Sequence, residues 1–466
     1  MTASTKVAEG PVVLTAHPLQ RVGAFALAAL ARVKTPQAIE ENDLRRAAHE
    51  MESALRATAT VPDSKAPEGF WLGASHLFWP NSPLSHPSRG KQSREERIQR
   101  LKAWRTLPDP GQTIGVPCAL CGRPACGYYG KVDVPLGAST NYRNTTARGH
   151  EGMPLCRGCL ASFHALPYGC AVSGGRAAVL HSWDDEFLWK TVAVQAGRMQ
   201  RKADVAAGRF GLKRPYARQV AALHEIRSYE ERFTAGVELL VFSNSNKDQT
   251  LDSHQMDQPL AEWLRLVSGD PRFRDGWRYL IRAHHNAKVR GLSSLARRLF
   301  DEPERIPSAA KDYLIRLADE RGVPAGETPA LTALTFDYAI EVLNVNRTDA
   351  EQIRLLAANI ANAAAQEETD FKKFTVAARK VGTLQHWLRR QAVGQVLYTR
   401  HPDAFITERQ WLLLFDSGTD SFLNRDLLLI ATLEQVHGLD PKWRTDDPDA
   451  RKDTDDDGDE GDEGED

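Results

Sequence analysis

Apolar residues recur at helical spacing through the first sixty positions of this chain. Leu19, Val22, Ala26, Leu30 and Val33 share one helical face, and Ile39, Leu44, Ala47, Met51 and Leu55 continue the period. Thr35-Pro36 between them reads as an N-cap followed by proline at the first helical position. Residues 11–14, Pro-Val-Val-Leu, have the composition of a short strand. Residues 61–90 are rich in Pro, Gly and Ser and carry an aromatic cluster, Phe70, Trp71, Phe78 and Trp79, expected in the core. A basic helix is predicted over 93–105, a strand over 177–181 and a helix over 184–208. The strongest strand pattern, Val-Glu-Leu-Leu-Val-Phe-Ser at 237–243, stops at the turn signal Asn244-Ser245-Asn246-Lys247-Asp248.

From about Pro259 the pattern is helical, with runs near 259–268, 276–300, 308–321, 348–366, 369–392 and 421–437, mostly separated by segments holding Pro or Gly. These periods predict an α+β N-terminal region over 1–258 and an all-α helical-bundle C-terminal domain over 259–440. Residues 441–466 read as a disordered acidic tail. No internal repeat is visible.

Charge changes this picture. The chain is formally −1, but residues 446–466 hold thirteen acids and two bases, a net −11, so the preceding 445 residues carry +10. The tail reads either as a solubilising end or as an acidic strand that competes with polyanions for a basic body. No window of about 18 uninterrupted apolar residues occurs, and the first residues lack a basic-then-apolar layout. A cytoplasmic protein with no membrane span is expected.

The cysteines carry the sharpest chemistry. Cys118-x-x-Cys121 and Cys156-x-x-Cys159 each place two thiolates on one short turn, and four such ligands suit a structural tetrahedral Zn2+. The insert between the pairs is longer than in a usual zinc ribbon, so the cysteines read as the clamped base of a projecting loop, 118–159. Gly122 and Gly158 flank the pairs and are expected to let backbone N–H groups approach the sulfurs. Cys126 and Cys170 are expected to be buried thiols, and His150 and His164 to be packing or surface residues rather than ligands. Six cysteines in 466 residues do not suggest a secreted disulfide scaffold.

Catalytic motifs are missing. There is no phosphate-binding Gly-x-x-x-x-Gly-Lys-Ser/Thr loop, no His-Glu-x-x-His helix, no Gly-x-Ser-x-Gly elbow and no His-Asp doublet. His284-His285 points two rings about 100° apart on a basic helix and reads as surface or phosphate-facing. The bracketed loop contains Asn141, Asn144 and His150, which keeps open a zinc-bracketed nuclease of the His-Asn-His kind. It lacks the leading histidine beside Asp133 that would act as general base. The chain is read as a non-enzyme.

Basic residues come in four blocks with aromatics between them. The first spans Arg89 to Arg105 with Trp104. The second lies in the cysteine loop, with Lys131, Arg143 and Arg148 beside Tyr128, Tyr129 and Tyr142. The third spans Arg198 to Arg218 with Phe210 and Tyr216. The fourth spans Arg272 to Arg298 with Trp277 and Tyr279. A single block is ordinarily a solvated helix face; four in a body of +10 favour a polyanion partner. A stand-alone zinc-containing DNA-binding regulator is one protein of that kind.

Several stretches together carry a resemblance. They are Ala16-His17-Pro18-Leu19-Gln20-Arg21-Val22-Gly23, Leu77-Phe78-Trp79-Pro80-Asn81-Ser82, the two cysteine pairs, and Gly149-His150-Glu151-Gly152-Met153-Pro154-Leu155. Phe242-Ser243-Asn244-Ser245-Asn246 and Arg425-Asp426-Leu427-Leu428-Leu429-Ile430 complete the set. In this order they resemble the large subunit of type I-B CRISPR interference complexes (Cascade), in the double Cys-x-x-Cys group. The resemblance implies a non-catalytic subunit that recognises a protospacer-adjacent motif in target double-stranded DNA, promotes strand opening and recruits a downstream effector, for antiviral defence or transposon targeting. The implied partners are guide RNA, the handle-binding and backbone subunits, and a helicase-nuclease or transposition adaptor. A small subunit started internally, with Met256 suitably placed, is a further implied partner. Asn141, Arg143, Asn144 and Arg148 are candidate base readers, since Asn and Arg make bidentate contacts to adenine and guanine. Lys213, Arg214, Arg278 and Arg282 are candidate phosphate contacts.

Overall fold

The structure is a computed structural model, which describes residues 10–59, 61, 69–137, 152–173, 175–205, 215–245, 249–321, 323–324, 326–364, 368–399, 404–439 and 444–445. The chain divides into two compact units, Met1–Ala261 and Glu262–Asp466.

The first unit is built around α1 (Pro18–Ala31), almost every residue of which is buried. His17 caps it by accepting the Gln20 N–H, and Pro18 starts it. Gln20, fully buried, accepts from Thr15 N and Oγ1 at 3.1 and 2.9 Å and donates to Val13 O at 2.8 Å and Ser162 Oγ at 3.2 Å. Around it lie α2 (Glu41–Thr58), α3 (Phe70–Phe78) and α4 (Arg94–Arg105), the last opened by a Ser93/Glu96 capping box. A two-stranded hairpin stem follows, β1 (Gly127–Tyr129) against β2 (Met153–Leu155), then α5 (Arg157–Ala165).

Residues 11–14 do not form the expected strand. Val12 is buried and Val13 O is bound by the Gln20 amide, so a side chain takes the role a neighbouring strand would have played. The aromatic cluster is core: Phe70, Trp71, Phe78 and Trp79 are all buried, and Phe78 packs edge-on to Phe242.

One antiparallel sheet completes the unit, in the order β3 (Ala171–Ser173), β4 (Arg176–Ser182), β5 (Val237–Asn244), β6 (Gln249–Met256). Phe242, Leu240, Ala177 and Val179 join the main core, while α6 (Asp185–Val205) and α7 (Ala217–Arg227) lie beside Ala178, Leu180 and Leu239. The strand β6 was not evident in the sequence, because as an exposed edge it carries Gln, Asp, Ser and His rather than an apolar alternation. Asn244 ends β5 fully buried and fully bonded. Its Nδ2 donates to Phe78 O and Lys131 O at 2.8 and 3.0 Å, and its Oδ1 accepts from Leu136 N and Gln249 Nε2 at 3.0 and 2.8 Å.

The second unit is helical. After α8 (Gln258–Gly269), which crosses the boundary, come α9 (Arg274–Ala283), α10 (Gly291–Asp301), α11 (Ile306–Arg321) and α12 (Glu327–Glu341). Then follow α13 (Arg347–Ala364), α14 (Glu368–Ala378), α15 (Val381–Gly394), α16 (Glu408–Phe415) and α17 (Ser421–Leu439). The run expected over 276–300 is broken in two: Asn286 Oδ1 accepts from Lys288 N and Val289 N, closing a turn. The run over 369–392 breaks between Ala378 and Val381.

The helix α12 had no apolar stripe to reveal it. It is buried along both Leu331 and Leu334 and the threonines Thr328, Thr332 and Thr335. The hydroxyls of Thr332 and Thr335 are satisfied by carbonyls of the preceding turn at 2.7 Å. Asp426 on α17, also buried, accepts from Ser308 Oγ at 2.5 Å and Lys311 Nζ at 2.8 Å. Among the described residues no helix is long and apolar enough to cross a membrane.

Candidate metal centre and basic surfaces

The two cysteine pairs meet. The Sγ atoms of Cys118, Cys121, Cys156 and Cys159 all lie within 4.8 Å of one another. Each pair is presented by a different device. The first is a tight turn: Cys118 N donates to Arg123 O at 2.7 Å, and Gly122 N to Cys118 O at 3.0 Å. Gly122 closes that turn at φ +75°, where a side chain would be strained. The second is a helix start. Cys156 is the N-cap of α5, its sulfur accepting the Cys159 N–H at 3.5 Å, so backbone N–H groups and the helix dipole favour thiolate there. Ala119 N to Pro154 O at 2.9 Å and Cys126 N to Leu155 O at 2.8 Å tie the halves together. Arg157 braces the second pair, bound to both Glu41 oxygens at 2.6 and 2.7 Å and to Pro108 O at 2.8 Å.

The thiols fit a tetrahedral dication. All six cysteines are free, and three of the four clustered ones are buried. Hydrogen bonds from Cys156 and Cys159 push the Cys118 thiol strongly down, and the reciprocal bond pushes Cys156 up to about 12. Cys159 is pushed upward for the same reason. Thiolates this close repel one another, and a central cation is what would offset that repulsion. Among the described residues no other group of three or more His, Cys, Asp or Glu comes together in this way.

Gly158 serves a purpose other than the expected one. A Cβ there would sit 2.1 Å from Pro11 O, so the glycine admits the segment at Pro11 over α5. Cys126 and Cys170 are buried and donate to Leu155 O and Leu166 O, both at 3.2 Å. His164 is also buried, in a cluster with Arg105 and Asp133, and is not among the clustered ligands.

The candidate base readers Asn141, Arg143, Asn144 and Arg148, with His150, lie outside the described residues, as do Lys213 and Arg214. The limbs that carry the first set are described: Lys131 Nζ donates to Ser245 O at 2.9 Å, and β1 and β2 form the stem.

The basic blocks divide by what their cations touch. Arg89 and Arg105, from the first block, turn inward. Arg89 donates to Thr58 O, Ala59 O and Val61 O, and Arg105 is 4 % exposed between the Trp79 and Trp104 rings. In the fourth block Arg278 pairs with Asp275 at 3.0 Å and Arg282 reaches buried Glu327 at 3.9 Å. Arg272, Arg297 and Arg298 likewise have carboxylate partners. His284 is a correction: it is buried, its Nδ1 2.8 Å from Leu280 O, because α9 turns that face inward.

A basic cleft of about 560 Å³ in the second unit had no counterpart in the sequence reading. Lys311, Arg316, Arg379 and Arg425 line it with two carboxylates, Asp312 and Asp426. Lys311 is bound by Asp426 and Asp312 at 2.8 and 3.3 Å, and Arg425 gives an N–H to Leu414 O at 2.6 Å, so the lining as a whole sets four cations against two carboxylates. Phe422, 61 % exposed, stands in its wall. These residues come from α11, α17 and the junction of α14 with α15, so no local run of sequence contained them. Only Arg425-Asp426, already singled out, pointed there.

Comparison with protein-family models, with curated proteins and with solved structures finds no match to this chain in any of the three.

Proposed function

We propose that this chain is a non-catalytic, nucleic-acid-binding subunit of an RNA-guided effector complex of the type I-B CRISPR kind. Its four cysteines hold zinc, which staples the base of the loop that reads a short motif in duplex DNA. The helical unit holds a separated strand. The complex acts in the cytoplasm, with guide RNA, the handle-binding and backbone subunits and a downstream helicase-nuclease or transposition adaptor as partners.

The basic cleft with its exposed aromatic ring carries this reading. Guanidinium groups such as Arg316, Arg379 and Arg425 suit a phosphodiester backbone, and an exposed ring such as Phe422 suits base stacking, worth about 1–3 kcal/mol per base. Phe422 keeps most of its ring exposed while Lys311 Nζ lies 5.9 Å from its centroid, so cation and ring stand together in the cleft wall. Such a groove tolerates any sequence, consistent with a division of labour in which guide pairing supplies sequence information.

The test is single-stranded DNA binding by the full chain at two salt concentrations, repeated with guide RNA and partner subunits. Phe422→Ala and the pair Arg316→Gln/Arg379→Gln are expected to weaken it about tenfold each. The arginine pair should also flatten the salt dependence. Wild-type affinity in all variants would reject the cleft. Tight duplex binding without RNA or partners would replace this reading with a stand-alone regulator, and metal-dependent cleavage would replace it with a nuclease.

A further inference from the structure

A second cavity, in the first unit, has the chemistry of an anion site. It measures about 220 Å³ and lies where the start of α7 meets one end of the sheet. The first three residues of α7, Ala217, Arg218 and Gln219, line it. No side chain caps this helix, and its first intrahelical bond is Val220 N to Tyr216 O at 3.0 Å. The N–H groups of Ala217, Arg218 and Gln219 have no acceptor among the described residues.

Side chains add to the backbone donors. Gln219 is 9 % exposed, lines the cavity and has no hydrogen-bond partner among the described residues. Arg218 gives one N–H to Ser173 O at 2.6 Å, while its buried Nε–H has no acceptor. Arg176 lines the same cavity and pairs with Asp252 at 2.5 Å. Two guanidinium groups and one carboxylate thus line the cavity, with the positive end of a helix beside them. Burial, and then the Arg176 charge, hold the Arg218 pKa below its ordinary value against the pull of Asp252.

We infer that this cavity binds a phosphate group, seated on the α7 N-terminus and held by Arg218, Arg176 and the Gln219 amide. An oxyanion would satisfy the uncapped N–H groups, the Gln219 amide and the Arg218 Nε–H together, which no neutral ligand of that size does as well. His254 completes the wall. The site is built from different residues than the cleft between α11, α14, α15 and α17, so each stands or falls alone.

Calorimetry and thermal shift on the full chain test it, with inorganic phosphate, a 5′-phosphorylated dinucleotide and the same dinucleotide without its terminal phosphate. Inorganic phosphate is expected to bind with a Kd of about 1 mM or tighter and to raise Tm. Gln219→Glu is the informative variant. A carboxylate at the third position of a helix favours the helix, so the unliganded protein should melt no lower, yet phosphate affinity should fall at least about tenfold. Arg218→Gln should give a similar loss. Tighter binding of the phosphorylated dinucleotide alone would identify a terminal phosphate as the natural ligand; equal tightening by both would identify an internal phosphodiester. Failure of all three probes to bind, or binding indifferent to Gln219→Glu and Arg218→Gln, overturns the site.

Discussion

The indole N–H of Trp104 donates to Asp133 Oδ1 at 2.8 Å, while the Trp104 ring stacks under the Arg105 guanidinium at 3.8 Å. One tryptophan thus orients the carboxylate and cradles the cation that offset each other inside the first unit. Burial pushes Asp133 up and Arg105 down to about 9, and each opposes the other's shift. Asp133→Asn keeps an acceptor for Trp104 but strands the buried guanidinium. A loss of about 3 kcal/mol in the first unit's unfolding transition is expected. The double variant Arg105→Met/Asp133→Asn should be more stable than the sum of the single losses by at least about 1 kcal/mol. Additive losses in urea denaturation would mean the pair does not communicate.

The proposed metal site predicts an ordered loss. Cys118→Ser and Cys156→Ser should each abolish stoichiometric zinc in elemental analysis and lower the Tm of the first unit. A strong chelator should do the same to the wild type. The second unit's transition should stay in place, since its helices pack on one another through contacts such as Trp263 Nε1 to Asp337 at 2.8 Å. Unchanged metal content in both serine variants would rule out the four-cysteine site.

Close approach makes Gly158 hard to replace. In Gly158→Ala the new methyl would meet the Pro11 carbonyl at 2.1 Å, so the segment holding buried Val12 must lift from α5. A cost of at least about 2 kcal/mol is expected, read from chemical denaturation. Gly90→Ala, with nothing within 4 Å of its new methyl, is the neutral comparison.

Acid should weaken the second unit through His284. Burial first, then the Arg298 charge, lower its pKa from 6.5 to about 4, against the Leu280 carbonyl that raises it. The unfolded chain therefore binds a proton that the folded state refuses. Stability is full above the unfolded pKa of 6.5 and falls as pH drops toward about 4, where the folded state protonates too. The loss is at most about 3 kcal/mol across that window. His284→Asn, which keeps an N–H donor and cannot titrate, should flatten the dependence of Tm on pH; an unaltered slope would assign it to other groups.

Local pattern carried much of this molecule into view. Helical period exposed α1, α2 and α4, the long apolar run exposed β5, and two pairs of cysteines at fixed spacing exposed the four-sulfur cluster that could hold a metal. Pairs on single turns are local features, and four soft ligands have few other uses in a chain without disulfides. The aromatic cluster was equally legible, because rings that large are seldom left in water.

What local pattern could not decide was which way each polar residue faces. Arg105 and Arg97 sit in one basic helix, yet Arg105 is swallowed by two indoles while Arg97 Nε reaches only Arg89 O at 3.1 Å. Gln20 and Asn244 look like surface residues and are instead fully buried, since each meets donors and acceptors brought from more than a hundred positions away. The charges of the fourth block are largely answered by carboxylates, while the cleft beside Phe422 and the cavity at α7 collect theirs from separate elements. Chain chemistry by itself settled which residues can hold metal and which segments can coil. Tertiary structure alone settled which charges remain available to a partner, because availability depends on what else lies within a few ångströms.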